Sequence, residues 1–93
     1  MLKVSAAAER DVRQGFLWYE EARTGLGKEF LYAVEHALER VCENPLHYPE
    51  IQPKLRRFVV LRFPYSIFYH LTDHHVLVLA VFHTRRAPVV FHP

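Results

Sequence analysis

Arginine is the residue type best suited to chemistry in this sequence, and it is concentrated in the second half. Arg56, Arg57 and Arg62 lie on or near the first apolar run of that half, and Arg85 and Arg86 follow the last run. A guanidinium is a rigid fork of N–H donors that fits phosphate and carboxylate groups alike. We therefore expect a patch that grips an anionic partner. The alternative is that these arginines only keep strand edges soluble.

Histidine is the second residue type with chemical potential, because an imidazole titrates near neutral pH. His70, His83 and His92 all lie within or after apolar runs of the second half. RNA cleavage requires a base for the 2′ proton, an acid for the leaving oxygen and cations for the developing phosphorane charge. Each histidine is a candidate base or acid, and for each the alternative is a structural, partly buried ring.

Motifs for nucleotide or metal binding are missing from the sequence. None of its three glycines lies between an expected strand and an expected helix, so no phosphate-binding loop is present. The adjacent His74 and His75 are not accompanied by Cys-x-x-Cys or His-Glu-x-x-His spacing. We therefore expect neither a cofactor nor a metal.

Length and composition indicate one domain over residues 1–93, with an apolar content of 51%. The single cysteine, Cys42, excludes an internal disulfide, which favours a cytoplasmic location. The N-terminus lacks the apolar stretch of a secretory signal. The longest apolar run covers only residues 76–82, whereas a membrane helix needs about 20 residues, so no membrane association is expected.

Charge is distributed unevenly along the chain. Residues 1–50 hold six lysines and arginines against nine acidic residues, whereas residues 51–93 hold six against Asp73 alone. This asymmetry predicts a cationic surface in the second half that faces a phosphate backbone or an acidic protein segment.

Two amphipathic helices are expected in the first half. Ser5 is placed to cap a helix over residues 6–23, and apolar spacings of three and four residues predict a second helix whose stripe spans residues 30–41. The Gly-containing residues 24–27 separate the helices, and Asn44-Pro45 ends the second. The outward face of the second helix is expected to be solvated and carries Glu29, His36, Glu39, Arg40 and Glu43.

Strands are expected at Leu2–Val4 and, after an irregular crossing over residues 44–54, at residues 57–61, 66–71 and 76–82. The short connections between the last three predict an antiparallel meander. The last run has no polar position and is expected to be central in the sheet or packed beside the helices. The predicted fold is α+β, in the order β-α-α-β-β-β, with the helical hairpin on a small antiparallel sheet.

Several stretches, in their order along the chain, form a specific combination: WYEE (18–21), LGKEF (26–30), Asn44-Pro45 with Tyr48-Pro49, RRF (56–58), RFPYSIFY (62–69) and LAVFHTRRAP (79–88). Together they resemble the RelE/ParE superfamily of bacterial toxins and are closest to its ParE-like, plasmid-stabilisation branch. The resemblance covers nearly the whole chain and implies the same β-α-α-β-β-β fold.

The resemblance implies the toxin half of a type II toxin–antitoxin pair. It also implies a partner antitoxin whose C-terminal segment wraps the helical hairpin and the sheet. ParE-like members poison DNA gyrase, whereas RelE-like members cut mRNA in the ribosomal A site. If the chain is ParE-like, its arginines are expected to contact the target or the antitoxin rather than to act as catalysts.

Three positions bear on the choice between these activities. Ser66 stands where RelE-type nucleases have an arginine in the middle strand, and Phe91 stands where they have a tyrosine, whereas Arg85 matches their second arginine. The resemblance therefore favours a non-enzymatic binding toxin directed at gyrase. The alternative is a ribosome-dependent endoribonuclease that uses Arg85 and Arg86 with His83 or His92.

Two further alternatives stay open at this level. The chain is either still toxic, or it has lost its toxicity and acts only as a regulatory partner. The apolar ending, residues 89–93, either completes the sheet or packs against the antitoxin, or it is a disordered tail.

Overall fold

The computed structural model describes residues 1–84, which form two helices packed on one mixed sheet. In chain order the elements are β1 (Leu2–Val4), α1 (Ala6–Ala22), α2 (Leu26–Glu43), β2 (Glu50–Gln52), β3 (Leu55–Val60), β4 (Tyr65–Leu71) and β5 (Val76–His83). The strands lie in the order β1-β5-β4-β3-β2. The α+β architecture expected from the sequence is confirmed. Neither of these helices is long and apolar enough to cross a membrane.

The ends of α1 and the start of α2 are fixed by local contacts. The Ser5 hydroxyl accepts a hydrogen bond of 3.0 Å from the Ala8 N–H, so Ser5 caps α1 as predicted. Gly25, at the start of α2, has a φ of +90°, a conformation that residues with a Cβ rarely adopt. The Glu20 carboxylate accepts hydrogen bonds of 3.0–3.1 Å from the N–H groups of Gly25 and Gly27. The last turn of α1 therefore caps α2.

The predicted antiparallel meander is confirmed for β3, β4 and β5. Strand β1 adds to this meander in parallel with β5, with Leu2 opposite Val76 and Val4 opposite Val78. The Val76 N–H donates to the Met1 carbonyl and the Ser5 N–H donates to the Val78 carbonyl. Strand β5 is therefore paired along both edges over its first half, as expected of a run without polar positions.

The crossing that follows α2 differs from the sequence-based expectation. It was predicted to be irregular over residues 44–54, but it contains β2, in which Glu50 pairs with Arg56 and Gln52 with Leu55. Pro49 and Pro53 flank the three residues of β2, so neither proline removes a donor from the strand itself. Because β2 pairs only with the first two residues of β3, no strand within residues 1–84 lies beside the rest of that β3 edge.

The main core lies between the helices and the sheet. Phe30, Val34 and Ala37 of α2 are buried in it together with Ile67 of β4. A Cβ placed on Gly15 of α1 would lie 2.6 Å from the Phe30 ring, so the glycine is what lets the two helices approach here. A smaller buried cluster, formed by Leu55, Phe68 and Ala80, contributes from β3, β4 and β5.

Candidate functional site

An open groove of about 770 Å³ runs between α2 and β3 and is here called the α2–β3 groove. Small side chains on α2, Ala33 and Ala37, form one part of its floor, and Phe58 and Val60 of β3 form another. The groove exists because alanines four residues apart leave a shallow helical surface beside the sheet.

The edge of β3 borders this groove directly. The Arg57 N–H donates to the Pro49 carbonyl at 3.1 Å, but no strand pairing with β2 extends beyond Arg56. Val59 keeps 45% of its surface exposed and Leu61 keeps 94%. An exposed strand edge beside apolar side chains is a template on which another chain can pair.

Aromatic side chains stand at the walls of the α2–β3 groove. Tyr32 of α2 is 56% exposed although it is a large aromatic residue. Tyr48, from the crossing, packs edge-on against Phe58 with ring centroids 4.7 Å apart. Exposed tyrosines beside an apolar floor are typical of protein-binding surfaces.

The rim of the α2–β3 groove is mainly cationic. Arg40, Arg57 and Arg62 line it, and Glu29 is the one carboxylate among the described lining residues. His36 also lines the groove, and its Nδ1 lies 3.7 Å from a Glu39 carboxylate oxygen outside it. A partner that carries carboxylates is therefore favoured electrostatically at this surface.

Glu29 links three elements at one end of the α2–β3 groove. One of its oxygens accepts a hydrogen bond from the Arg62 guanidinium, and the other lies 3.4 Å from Arg23 Nη2. Arg62 in turn lies over the Phe63 ring, with Cζ 5.3 Å from the ring centroid. Glu29 was expected on a solvated helix face, but its side chain is only 32% exposed, because the turn after β3 brings Arg62 to it.

Arg56 and Arg57 do not share a surface, although both were predicted to belong to one cationic patch. Arg56 Nη1 donates to the carbonyls of Tyr48, at 2.6 Å, and Leu46, at 3.3 Å. Consecutive residues of a strand point to opposite faces, so Arg56 shares a face with Phe58 and Arg57 points to the other face. Of the two arginines, Arg57 lines the α2–β3 groove. The structure therefore brings Arg57 and Arg62 to one groove and places Arg56 on the backbone of the crossing.

Ser66, which stands in the slot of the nuclease arginine, lies in the middle of the sheet. It pairs with Val59 on one side and Phe82 on the other, and it is 3% exposed. A buried hydroxyl at this position cannot reach an RNA phosphate.

His83 lies at the end of β5, beside a second pocket of about 310 Å³ that Asp11 and Tyr65 also line. The His83 and Tyr65 rings meet edge-on with centroids 5.3 Å apart. Burial raises the pKa of Asp11 above its ordinary value, although its hydrogen bond from the Val81 N–H, 2.9 Å long, acts in the opposite direction. A carboxyl, an imidazole and a phenol therefore line this pocket together.

Among the remaining predicted candidates only His70 is described, and it lines neither pocket. His70 is partly buried on β4, opposite Leu55 and Leu77. Arg85, Arg86 and His92, like the apolar ending, lie outside the described residues. Within residues 1–84 no group of three or more metal-ligating side chains comes together.

Sequence reasoning missed the α2 side of the α2–β3 groove. Tyr32, His36 and Arg40 follow each other at intervals of four residues, which places them along one side of the helix. The sequence signal that could have found it is Tyr32, because a large aromatic residue among the charged residues of a solvent-facing helix surface is typical of a binding site.

Comparison with known proteins bears on the family and the fold of the chain. A family model described as the ParE toxin of the type II toxin–antitoxin system parDE matches residues 2–88. No curated protein matches the chain. A solved structure, the chromosomal ParDE toxin–antitoxin system from P. aeruginosa, shares the fold with a TM-score of 0.65 at 20% identity, over 86% of this chain and 90% of that chain. The chain therefore belongs to the ParE toxin family of type II toxin–antitoxin systems, in which a toxin is paired with an antitoxin.

Proposed function

We propose that the chain inhibits growth in the cytoplasm by binding DNA gyrase, and that its antitoxin silences it by docking in the α2–β3 groove. Membership of the ParE family supports the choice of gyrase over the ribosome. The observation that carries the docking is the meeting of a cationic rim, an apolar floor and an open strand edge in one groove.

Each of these features selects a property of the antitoxin segment. The floor accepts apolar side chains, and the 770 Å³ volume is large enough for several of them. The open β3 edge can pair with an extended backbone. Arg40 and Arg57 on the rim favour carboxylates. An acidic segment with apolar anchors therefore fits the groove.

The described arginines are better placed for binding than for catalysis. Arg57 is exposed and borders the groove, whereas Arg56 is held by backbone carbonyls and Arg62 by Glu29. With Ser66 buried in the nuclease slot, the middle strand offers no guanidinium to a scissile phosphate. We assign target or antitoxin contacts to Arg57 and Arg62 and extend the assignment to Arg85 and Arg86, whereas Arg56, which was predicted to share this role, is held by the Tyr48 carbonyl.

One observation favours endoribonuclease activity as a second candidate. His83, Asp11 and Tyr65 line one pocket, and His83 precedes Arg85 and Arg86 by only two and three residues. A histidine beside a carboxyl and a phenol can exchange protons at neutral pH.

Purified toxin tests the two activities side by side. We expect inhibited supercoiling or trapped cleavage complexes with gyrase, and intact mRNA in a translation reaction. Gyrase that supercoils normally while mRNA is cut within codons would replace the first candidate with the second. The variant His83→Gln separates them further, because it should abolish RNA cleavage but leave gyrase inhibition in place.

Antitoxin affinity tests the docking site. Tyr32→Ala removes an exposed aromatic from the groove wall, and we expect it to weaken binding about tenfold, the effect of an interface anchor. Leu17→Ala is the matched control, because Leu17 on α1 is 55% exposed, against 56% for Tyr32, and does not line the α2–β3 groove. Equal effects of the two variants would contradict docking in this groove.

A further inference from the structure

We propose that Glu29 competes with the antitoxin for Arg62. In the free toxin the Glu29 carboxylate binds Arg62, and in the complex a carboxylate of the docking segment takes its place. The inference rests on the proposed docking of the antitoxin in the α2–β3 groove. It adds a regulatory contact within that site, since the free toxin then carries its own substitute for one antitoxin carboxylate.

The position of Glu29 makes it a competitor of this kind. Glu29 and Arg62 both line the α2–β3 groove, and their ion pair closes one end of it. Glu29 is also the single acidic side chain among the described lining residues, so it presents to Arg62 the same group that an acidic partner would bring. Arg62 is 63% exposed, which leaves its guanidinium open to an incoming carboxylate.

After Arg62 is released, other groups still stabilise the negative charge of the Glu29 carboxylate. Glu29 lies in the first turn of α2, where unpaired backbone N–H groups favour negative charge. Arg23 Nη2 lies 3.4 Å from its second oxygen and stays available after the exchange. The exchange therefore replaces one charge-assisted hydrogen bond of Arg62 with another while Glu29 keeps a cationic neighbour.

The pair is also weak enough to exchange. Ion pairs between partly exposed side chains add little to stability, because water and salt screen the charges. A partner anchored elsewhere by apolar contacts can therefore displace Glu29 at small cost. Glu29 therefore favours an acidic segment modestly over a neutral one, because only the acidic segment replaces the hydrogen bond that Arg62 loses.

A positioning role for Glu29 is the competing explanation, and it predicts the opposite result. The guanidinium has five N–H donors, so Arg62 could hold Glu29 and an antitoxin carboxylate together. In that case Glu29 would orient Arg62, and its removal would weaken antitoxin binding. In the competitor case its removal strengthens binding.

Affinity of the full toxin for its cognate antitoxin, measured by calorimetry, decides between them. We expect Glu29→Gln to tighten binding about two- to fivefold, the effect of removing one exposed ion pair. In the Arg62→Gln background the same substitution should have no effect, because the contested group is gone. Glu35→Gln is the matched control, since it removes the same charge from the exposed surface of α2 outside the groove.

Three results would overturn the competitor role: unchanged or weaker binding by Glu29→Gln, equal tightening by Glu35→Gln, or tightening that persists without Arg62. Melting temperatures of all variants verify that the fold is kept. Failure of the docking proposal is distinguishable from failure of the competitor role. If the antitoxin does not dock in the α2–β3 groove, Tyr32→Ala leaves antitoxin affinity unchanged, whatever the effect of Glu29→Gln.

Discussion

At the scale of single residues, Arg56 and Arg57 show how adjacent guanidinium groups acquire separate roles. Arg56 joins the β3 strand to the crossing through the carbonyls of Leu46 and Tyr48. Arg57 is exposed at the groove. The pair therefore offers a test in which the same substitution changes stability at one position and binding at the next.

We expect Arg56→Gln to lower the free energy of unfolding by about 1–3 kcal/mol, because it weakens charge-assisted hydrogen bonds to two carbonyls. Arg57→Gln should leave the free energy of unfolding within about 0.5 kcal/mol of the wild type, as is usual for exposed positions, and weaken antitoxin binding. Urea unfolding and calorimetric titration measure the two effects. A loss of stability at Arg57 as large as that at Arg56 would contradict this division.

Asp11 predicts a pH dependence of stability. Burial raises the pKa of Asp11 above its ordinary value of 3.8, so the folded chain holds the proton to a higher pH than the unfolded chain does. The stability contributed by this group is complete below pH 3.8 and is lost as the pH rises through the folded pKa. Asp11→Asn should remove this loss, because an amide does not ionise, and its oxygen can still accept from the Val81 N–H.

The measurement is the difference in unfolding free energy between Asp11→Asn and the wild type across the acidic range. The variant should gain relative stability as the pH rises from 3.8 toward neutrality. Asp73→Asn, which changes an exposed residue of the β4–β5 turn, is the control and should show no such trend. A difference that is constant with pH would show that Asp11 does not carry the effect.

The sequence predicted part of the candidate site and missed the rest for a physical reason. Strand alternation already separates Arg56 from Arg57, so their opposite faces follow from the assignment of β3. The contact between Glu29 and Arg62 has no such local signal, because the two residues are 33 positions apart and the turn after β3 brings them together. Pairs of this kind require the tertiary fold.

At the scale of elements, the connection between α1 and α2 is held by a side chain rather than by its own backbone. Gly25 has no side chain to cap α2, and the Glu20 carboxylate supplies the missing acceptor for the Gly25 and Gly27 N–H groups. Negative charge at a helix N-terminus is favourable as well. Glu20 therefore sets where α2 begins.

We expect Glu20→Ala to lower the free energy of unfolding by about 1–3 kcal/mol, because it leaves two partly buried donors without their acceptor. Glu21→Ala removes the same charge from the next, exposed position of α1 and should change stability by less than about 0.5 kcal/mol. Chemical denaturation followed by circular dichroism gives both values. Equal effects would mean that net charge, and not the cap, is responsible.

Helices were predicted more closely than strand pairing. The α1 cap at Ser5 and the end of α2 before Asn44-Pro45 are local features, and both are confirmed. Strand β2 was missed because the three residues between the prolines are too few for their alternation to predict a strand, and their pairing with β3 is what makes them one. The parallel pairing of β1 with β5 joins residues more than 70 positions apart, and its partner and direction are set by the tertiary fold.

At the scale of the whole molecule, four aromatic rings tie the helical hairpin to the sheet. Tyr19 of α1 packs edge-on against Phe63 of the β3–β4 turn, with centroids 4.8 Å apart. Phe30 of α2 contacts Tyr65 of β4 at 4.8 Å and Phe63 at 5.5 Å. The helical hairpin and the sheet therefore cannot separate from each other without exposing these rings to water.

We therefore expect the hairpin and the sheet to unfold in one cooperative transition, as small single domains usually do. Far-UV circular dichroism reports the helices and near-UV circular dichroism reports the aromatic cluster, so their thermal transitions should coincide. Phe30→Ala should lower the free energy of unfolding by about 3–5 kcal/mol, because it empties the centre of the cluster, and should shift both transitions together. A near-UV transition that precedes the far-UV transition would show that α1 and α2 persist without the sheet, and that the groove between α2 and β3 can open while the helices remain folded.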